Sequence, residues 1–305
     1  MNSLKILLKT ALISLSLSTA QAAVFPLTPT TDVVGEVKLI TTRFEDSFIT
    51  LAKKYDIGFL ELVQANPGVD QWVPGEGTII MLPGRYVLPP RDQRKGIIIN
   101  LAELRLYYFP PDGKQVYTYP IGVGRMEQNW KTPLGKQAIT QKQENAHWYP
   151  PASIRAEGLR EGHVYPASIP PGPDNPMGSL KMRLTNPNYL IHGTNREGGI
   201  GRRVSHGCIN MFNADVEQLY RLTAIGTPVS IVHEPYKAGW KDGYLWIEVH
   251  QPLEDYRTAI NDYSLNHLMN VTEKVAQSPT DVEWSLVKRG YKHTRGIPMV
   301  VGNLK

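Results

Sequence analysis

Apolar residues recur along this chain at two different spacings, and the change from one to the other divides it. Between residues 37 and 84, Phe48, Leu51, Ala52 and Tyr55 fall at helical intervals behind a capping Asp46 or Ser47. A second short helix, 59–65, stops at Asn66-Pro67-Gly68, and a strand at 78–82 follows the turn at Pro74-Gly75. The order is strand, helix, helix, strand. After a Pro-rich, charged linker, Leu88-Pro89-Pro90-Arg91-Asp92, the spacing becomes two. Ile97-Ile98-Ile99-Asn100-Leu101 and Leu104-Arg105-Leu106-Tyr107-Tyr108-Phe109 are β-branched and aromatic rich, and strands at 116–123 and 137–140 follow.

Residues 147–178 carry many Pro and Gly and little periodicity, which predicts a long loop over the sheet and one wall or lid of a site. One helix follows, with Asn213 as cap, Asp215 and Glu217 in its first turn, Val216, Leu219 and Tyr220 on its buried face and Gly226 as the stop; 227–232 returns as a strand. Past Pro235 there is one more apolar strand, 244–249, and a polar, helix-leaning tail. Residues 24–36 read as an extended, Pro-punctuated lead-in. The expected architecture is a mainly β domain with one or two helices over 96–233, preceded by the small βααβ unit and followed by a short α+β segment over 236–305.

The first 22 residues read as an export leader. Lys5 and Lys9 make a positive start, 11–17 an apolar core too short to span a bilayer, and Ala20-Gln21-Ala22 a small-residue cleavage site. The mature protein is then expected to begin at Ala23, to lie in the periplasm and to contain no transmembrane segment. Losing Lys5 and Lys9 and no acid takes the formal charge from +5 to +3. That mild basicity suits an anionic surface such as a cell wall and lacks the clustered Lys/Arg of a nucleic-acid binder.

Export sharpens the meaning of the single cysteine, because oxidising compartments tend to pair cysteines or lose them. Cys208 stands in Ser205-His206-Gly207-Cys208-Ile209-Asn210, sixteen residues after the histidine of Ile191-His192-Gly193-Thr194. A thiol is only slightly ionised at neutral pH and needs a base or electropositive surroundings to attack. His192 ends an apolar strand that would hold its imidazole still, and His206 lies two residues before the thiol. Gly207 permits a tight turn that aims backbone N–H groups at a developing oxyanion.

Six segments resemble the YkuD-type catalytic domain of bacterial L,D-transpeptidases: Thr132-Pro133-Leu134-Gly135, Asn175-Pro176-Met177-Gly178, Ile191-His192-Gly193-Thr194-Asn195, Gly199-Ile200-Gly201, the Cys208 segment, and Gly226-Thr227-Pro228-Val229. The resemblance covers about residues 96–233 and implies a YkuD-type β-sandwich. Residues 37–84, with Leu62-Val63-Gln64-Ala65-Asn66-Pro67 and Val73-Pro74-Gly75-Glu76-Gly77-Thr78, resemble a LysM domain, a module that binds peptidoglycan glycan. The first resemblance implies Cys208 as nucleophile and His192 as general base or ion-pair partner, oriented by a carbonyl at Gly193. It implies an oxyanion segment at Gly207 and Cys208, His206 lining the pocket, Ser205 supporting the loop, and substrate contacts at Asn210 and Asn175. It implies acyl transfer: a tetrapeptide stem loses its terminal D-alanine to form a Cys208 thioester, which an amine resolves. That amine belongs either to the diamino acid of another stem, giving a 3-3 crosslink, or to a lysine of an outer-membrane lipoprotein.

Three other readings of the same residues exist. A zinc site built on His192, His206 and Cys208 lacks a fourth ligand at metal spacing, so no metal and no cofactor are expected. A non-catalytic wall-binding adaptor would have no need of the histidine and the thiol together. A cell-wall cysteine endopeptidase of the papain type usually places its cysteine before its histidine, the reverse of the order here.

Overall fold

A computed structural model describes residues 23–127, 130–257, 263–276 and 280–304. The leader expected over residues 1–22 lies outside the described residues. No helix among the described residues is long and apolar enough to cross a membrane.

The lead-in is not a bare linker: Ala23–Pro26 forms β1. Then come β2 (Val33–Thr41), α1 (Phe48–Tyr55), α2 (Phe59–Ala65) and β3 (Ile79–Val87). α1 begins at Ser47, whose hydroxyl accepts the Thr50 N–H at 3.3 Å while Thr50 Oγ1 accepts the Ser47 N–H at 2.9 Å. This reciprocal cap satisfies two of the donors that a helix start leaves free. β2 and β3 pair antiparallel from Val33↔Val87 to Thr41↔Ile79. Phe48, Leu51, Phe59, Leu62, Ile80 and Leu82 fill the core between that ribbon and the two helices.

The period-two region gives β4 (Gly96–Asn100), β5 (Arg105–Phe109), β6 (Gln115–Pro120), β7 (Val123–Gly124), β8 (Gly135–Glu144), β9 (Leu180–Leu184), β10 (Leu190–His192), β11 (Arg203–Ser205), β12 (Ile209–Asn210) and β13 (Pro228–Val232), with α3 (Ala152–Arg160) and α4 (Asn213–Leu222). Nine strands make one sheet in the order β1-β6-β5-β4-β13-β8-β9-β10-β12. All contacts in it are antiparallel except β4 with β13 and β10 with β12. The sheet closes around α4: Val216 and Leu219 meet Ile97, Ile99, Leu106, Tyr119, Met182 and Ile191 in one core. Alternation puts Ile98, Tyr107 and Phe109 on the other face, against Val34, Tyr86 and Leu88 from the outer ends of the β2–β3 ribbon. Both faces of β4 are therefore covered, which explains its uninterrupted isoleucines.

The tail holds more sheet than its polar sequence predicts. β14 (Tyr236–Lys241), β15 (Tyr244–Val249), β16 (Thr280–Val282) and β17 (Met299–Leu304) form a second sheet, with α5 (Leu265–Ala276) and α6 (Trp284–His293) packed on it. Lys237 on β14 joins this sheet to the rest: its ammonium lies 2.8 Å from Glu103 and 3.2 Å from Glu248, and donates to Tyr107 Oη at 3.2 Å. Glu248 also accepts the Val87 N–H at 2.6 Å and contacts His250 Nε2 at 2.6 Å. The acids that cluster there are thus already compensated by a lysine.

Residues 37–84 are fastened to the large sheet by a buried ion pair. Arg105 on β5 donates to Glu61 on α2 at 2.6 Å and to Thr118 Oγ1 at 2.9 Å, and stacks over Tyr86 at 4.0 Å. The N–H groups of Phe59 and Leu60 donate to the carbonyls of Ile200 and Gly201, both at 3.2 Å. Arg105 is only 1% exposed, so removing its partner strands a guanidinium. Glu61→Gln is expected to lower stability in urea unfolding by about 3–5 kcal/mol; a loss no larger than that of an exposed pair would mean that the ion pair does not hold this junction.

Candidate active site

β10 ends where its side chains meet the core. Ile191 is fully buried, and His192 beside it is 7% exposed. The imidazole Nδ1 lies 2.6 Å from the Gly193 carbonyl oxygen. A carbonyl only accepts, so Nδ1 carries the proton and donates, and the neutral ring leaves Nε2 with its lone pair. Burial drives the imidazole pKa down to about 4; the Gly193 carbonyl pulls it up, and nearby Lys181 pushes it further down. At neutral pH, His192 is an uncharged base of fixed tautomer.

β12 runs parallel to β10, pairing Ile209 with Ile191 and Asn210 with His192. Cys208 lies just before β12, two residues from Asn210, so the thiol and the imidazole come from adjacent strands and from the same side of the sheet. Cys208 keeps part of its surface open. Its thiol points to the Asn188 carbonyl at 3.9 Å. Burial raises its pKa above the ordinary value, and the Leu190 backbone N–H partly offsets that. In this state the pair is thiol and neutral imidazole, not thiolate and imidazolium.

The loop before Cys208 is tied internally. Ser205 Oγ donates to the Cys208 carbonyl at 2.6 Å and accepts the Gly207 N–H at 3.1 Å. Gly207 has φ +106°, and a Cβ there would come within 2.8 Å of the Tyr189 ring. Thr132 Oγ1 donates to the Gly207 carbonyl at 2.9 Å and accepts the Gly124 N–H at 3.0 Å. The Gly207 amide is therefore occupied, which corrects its expected part as an oxyanion donor. It leaves Cys208 as the candidate donor in that segment.

His206 extends the site sideways. Its Nε2 meets Glu157 at 2.6 Å and Arg125 at 2.9 Å, Arg125 also donates to Glu157 at 2.7 Å, and Trp130 packs edge-on against the imidazole at 4.5 Å. Burial pushes the Glu157 carboxyl up, but hydrogen bonds from Arg125 and His206 outweigh it and hold it below its usual range. Glu157 lies on α3, inside the stretch read from sequence as loop. Its residues escaped the helical pattern because only Gly158 of α3 is buried, so there is no apolar stripe to detect. Reciprocal hydrogen bonds between Trp148 and Ile169, both 2.8 Å, close the stretch on itself.

Two other expectations change. Asn175 is fully buried, with its amide donating to the carbonyls of Ala146 (2.9 Å) and Pro170 (3.1 Å) and accepting the Met177 N–H (2.9 Å). It clamps the loop from within and presents nothing to a substrate. Asn213 is not a helix cap but the first residue of α4. Its side chain grips Thr194, accepting the N–H at 3.1 Å and donating to the carbonyl at 2.9 Å. A Cβ on Gly193 would fall 2.2 Å from Asn213 Oδ1, so only glycine allows this approach. Asn210, by contrast, keeps a buried Oδ1 without a hydrogen bond, beside His192.

The C-terminal segment supplies residues that no local pattern marks. Asp255 takes Arg203 of β11 in a bidentate pair at 2.8 and 2.7 Å, and Tyr256 donates to the Thr132 carbonyl at 2.6 Å. Both brace the surroundings of Cys208 from far along the chain, Asp255 52 residues after Arg203 and Tyr256 124 residues after Thr132.

Residues 94–231 match the YkuD L,D-transpeptidase catalytic domain. Over 271 residues the chain is 41% identical to the probable L,D-transpeptidase YcfS of Escherichia coli, covering 86% of this chain and 84% of that one. It is 38% identical over 247 residues to the probable L,D-transpeptidase ErfK/SrfK of the same organism, covering 78% and 77%. It is 36% identical over 294 residues to the probable L,D-transpeptidase YbiS, also from Escherichia coli, covering 92% and 93%.

Asn213→Ala deletes both hydrogen bonds to Thr194. It is expected to cost about 1–3 kcal/mol in urea unfolding and to slow covalent modification of Cys208 by an acylating probe. A variant as stable and as reactive as the parent would remove Asn213 from the support of His192.

Proposed function

This chain belongs to the L,D-transpeptidase family, and from that premise we propose that it is an exported acyltransferase acting on peptidoglycan stems through a Cys208 thioester. The observation that carries the reading is the His192 Nδ1–Gly193 carbonyl hydrogen bond, which leaves an unprotonated Nε2 one strand away from the only thiol.

In the proposed sequence, rotation about the Cys208 Cα–Cβ bond swings the thiol from the Asn188 carbonyl towards His192. Nε2 takes the thiol proton as sulfur attacks the stem carbonyl before the terminal D-alanine, and the Cys208 N–H receives the oxyanion. Collapse breaks the peptide bond, and the imidazolium returns the proton to the departing D-alanine amine. An acceptor amine then attacks the thioester and gives a proton to His192, which passes it to the departing sulfur and restores the thiol and the neutral imidazole. Asn210, with its unpartnered Oδ1, is suited to hold an N–H of the stem or of the acceptor. The segment clasped by Glu157 and His206 walls one side and limits entry of water, which would otherwise hydrolyse the thioester.

The acceptor is either the diamino acid of another stem or the lysine of an outer-membrane lipoprotein; muropeptide analysis of cells with and without the protein separates them. We further read residues 37–84 as the glycan-binding LysM-like unit, with Phe44, 85% exposed, among the side chains open to a ligand. Residues 1–22 are read as a leader removed on export to the periplasm.

Incubation with a carbapenem is expected to add one acyl group to Cys208 by mass spectrometry and none to Cys208→Ala. His192→Gln should slow that acylation by about 10²–10⁴-fold. The pH profile tests the charge state. His192 is neutral above about 4, and the thiol stays protonated until above its ordinary pKa. Both reacting forms therefore persist through the neutral range, and the acylation rate is expected to be flat between about pH 6 and 8. A tenfold rise per pH unit across that range would mean attack by free thiolate and would remove His192 as base.

A further inference from the structure

The leading strand begins beside a pair of buried acids that lack a cation of their own. β1 lies along β6 with Ala23 opposite Thr118. Beside that end, Asp56 at the C-terminus of α1 faces Asp215 in the first turn of α4; they are 7% and 3% exposed. Asp215, read from the sequence as an acid in the first turn of that helix, is buried. Asp56 Oδ1, Asp56 Oδ2 and Asp215 Oδ2 are buried, and apart from a loosely placed Ala23 N–H their hydrogen-bonding neighbour is the other carboxyl of the pair. Besides each other, the groups around this pair are the carboxylates of Glu61 and Glu197, the Arg105 guanidinium and the Ala23 backbone N–H. Arg105 is committed to Glu61 and Thr118. Burial pushes both aspartic carboxyls up, and the charge of Asp56 raises Asp215 further. Two acids buried together with no cation of their own, sharing only a hydrogen bond with each other and one backbone N–H, are a costly arrangement that a cation with several N–H donors would relieve.

The sequence places a leader-cleavage signal, Ala20-Gln21-Ala22, immediately before the residue whose N–H faces Asp56. Hydrolysis of the Ala22–Ala23 bond gives Ala22 a carboxylate and turns that amide into a primary amine, protonated at neutral pH. We propose that the Asp56–Asp215 pair is the receptor for the α-ammonium of Ala23 formed when the leader is removed. Three N–H donors then meet three oxygens that lack a cation. The proposal rests on the leader reading given under the proposed function. It assigns a consequence to cleavage: the new terminus ties together β1 at the edge of the large sheet, the α1–α2 turn of the N-terminal unit, and α4, whose first residue, Asn213, grips Thr194 two residues after His192. The uncleaved precursor keeps the acids without a cation at that junction.

The test compares protein beginning at Ala23 with protein carrying Gly-Ser before Ala23, each in parent, Asp56→Asn and Asp215→Asn form. Beginning at Ala23, the parent is expected to melt several degrees higher than its extended counterpart. The asparagine variants should lower the melting temperature of the Ala23 form and raise or leave unchanged that of the extended form, an inversion that mere damage to folding does not produce. The Ala23 amine should also react with cyanate at pH 7.5 about tenfold more slowly in the parent than in Asp56→Asn, the effect of raising its pKa by one unit. Equal melting temperatures with and without Gly-Ser, or an amine that reacts as freely in the parent as in the variant, overturn the capture. N-terminal sequencing of the exported protein that returns a first residue other than Ala23 overturns the leader reading and the proposal with it. Ala23 first with equal stabilities overturns the capture alone.

Discussion

A two-residue parallel ladder between β10 and β12 brings the strand of His192 next to the segment of Cys208, with both side chains on one side of the sheet, and much of the surrounding structure keeps it in place. Parallel neighbours cannot be joined by a tight turn, so the chain between His192 and Cys208 has to leave and return, and so short a ladder has little hold of its own. External ties supply the rest. Asn213 clasps Thr194 behind the histidine, Thr132 and Ser205 clasp the loop before the cysteine, and Gly122 bonds Asn210 on the far side. Asp255 and Tyr256 brace the same loop from the C-terminal segment, which makes that segment part of the support of the site.

Burial gives His192 its character and limits it. A low-dielectric setting strips the imidazole of its charge, and the Gly193 carbonyl decides which nitrogen keeps the proton. The same setting raises the thiol. Both effects favour the uncharged pair, so in the mechanism we propose proton transfer accompanies attack. This differs from sites in which a nearby cation holds a cysteine permanently ionised.

Elsewhere the molecule buries charge at its joints and compensates it locally: Arg105 with Glu61 between the N-terminal unit and the large sheet, and Lys237 with Glu103 and Glu248 between the large sheet and the C-terminal one. Such pairs add less stability than apolar packing of equal volume, but a wrong docking would leave each of them unpaired, which favours one arrangement of the three parts. Asp56 and Asp215 stand at a third joint, where among the described residues the nearby guanidinium, Arg105, is already bonded to Glu61, and this is the setting on which the proposed capture of the Ala23 amine rests.

Unbroken β-branched runs such as Ile97-Ile98-Ile99 and the helical spacing of Phe48, Leu51 and Ala52 were legible because each element's own residues carry the pattern that packing requires. The histidine, glycine and cysteine motifs were legible as marks of the family because each lies in a short contiguous segment. What the chain alone did not reveal came from partners far along it. β1 is a strand only because β6 offers it an edge, and α3 is held by a single carboxylate reaching His206 rather than by an apolar face. Asn175 and Asn213 exchanged their expected importance because an amide shows its hydrogen-bond partners only once the chain has folded around it. Sequence by itself determined the strands and helices whose own residues carry an apolar pattern, and the family to which the motifs belong. Only the tertiary structure decided which polar groups are satisfied and which are stranded, because burial and partnership depend on contacts between distant segments and not on the order of residues.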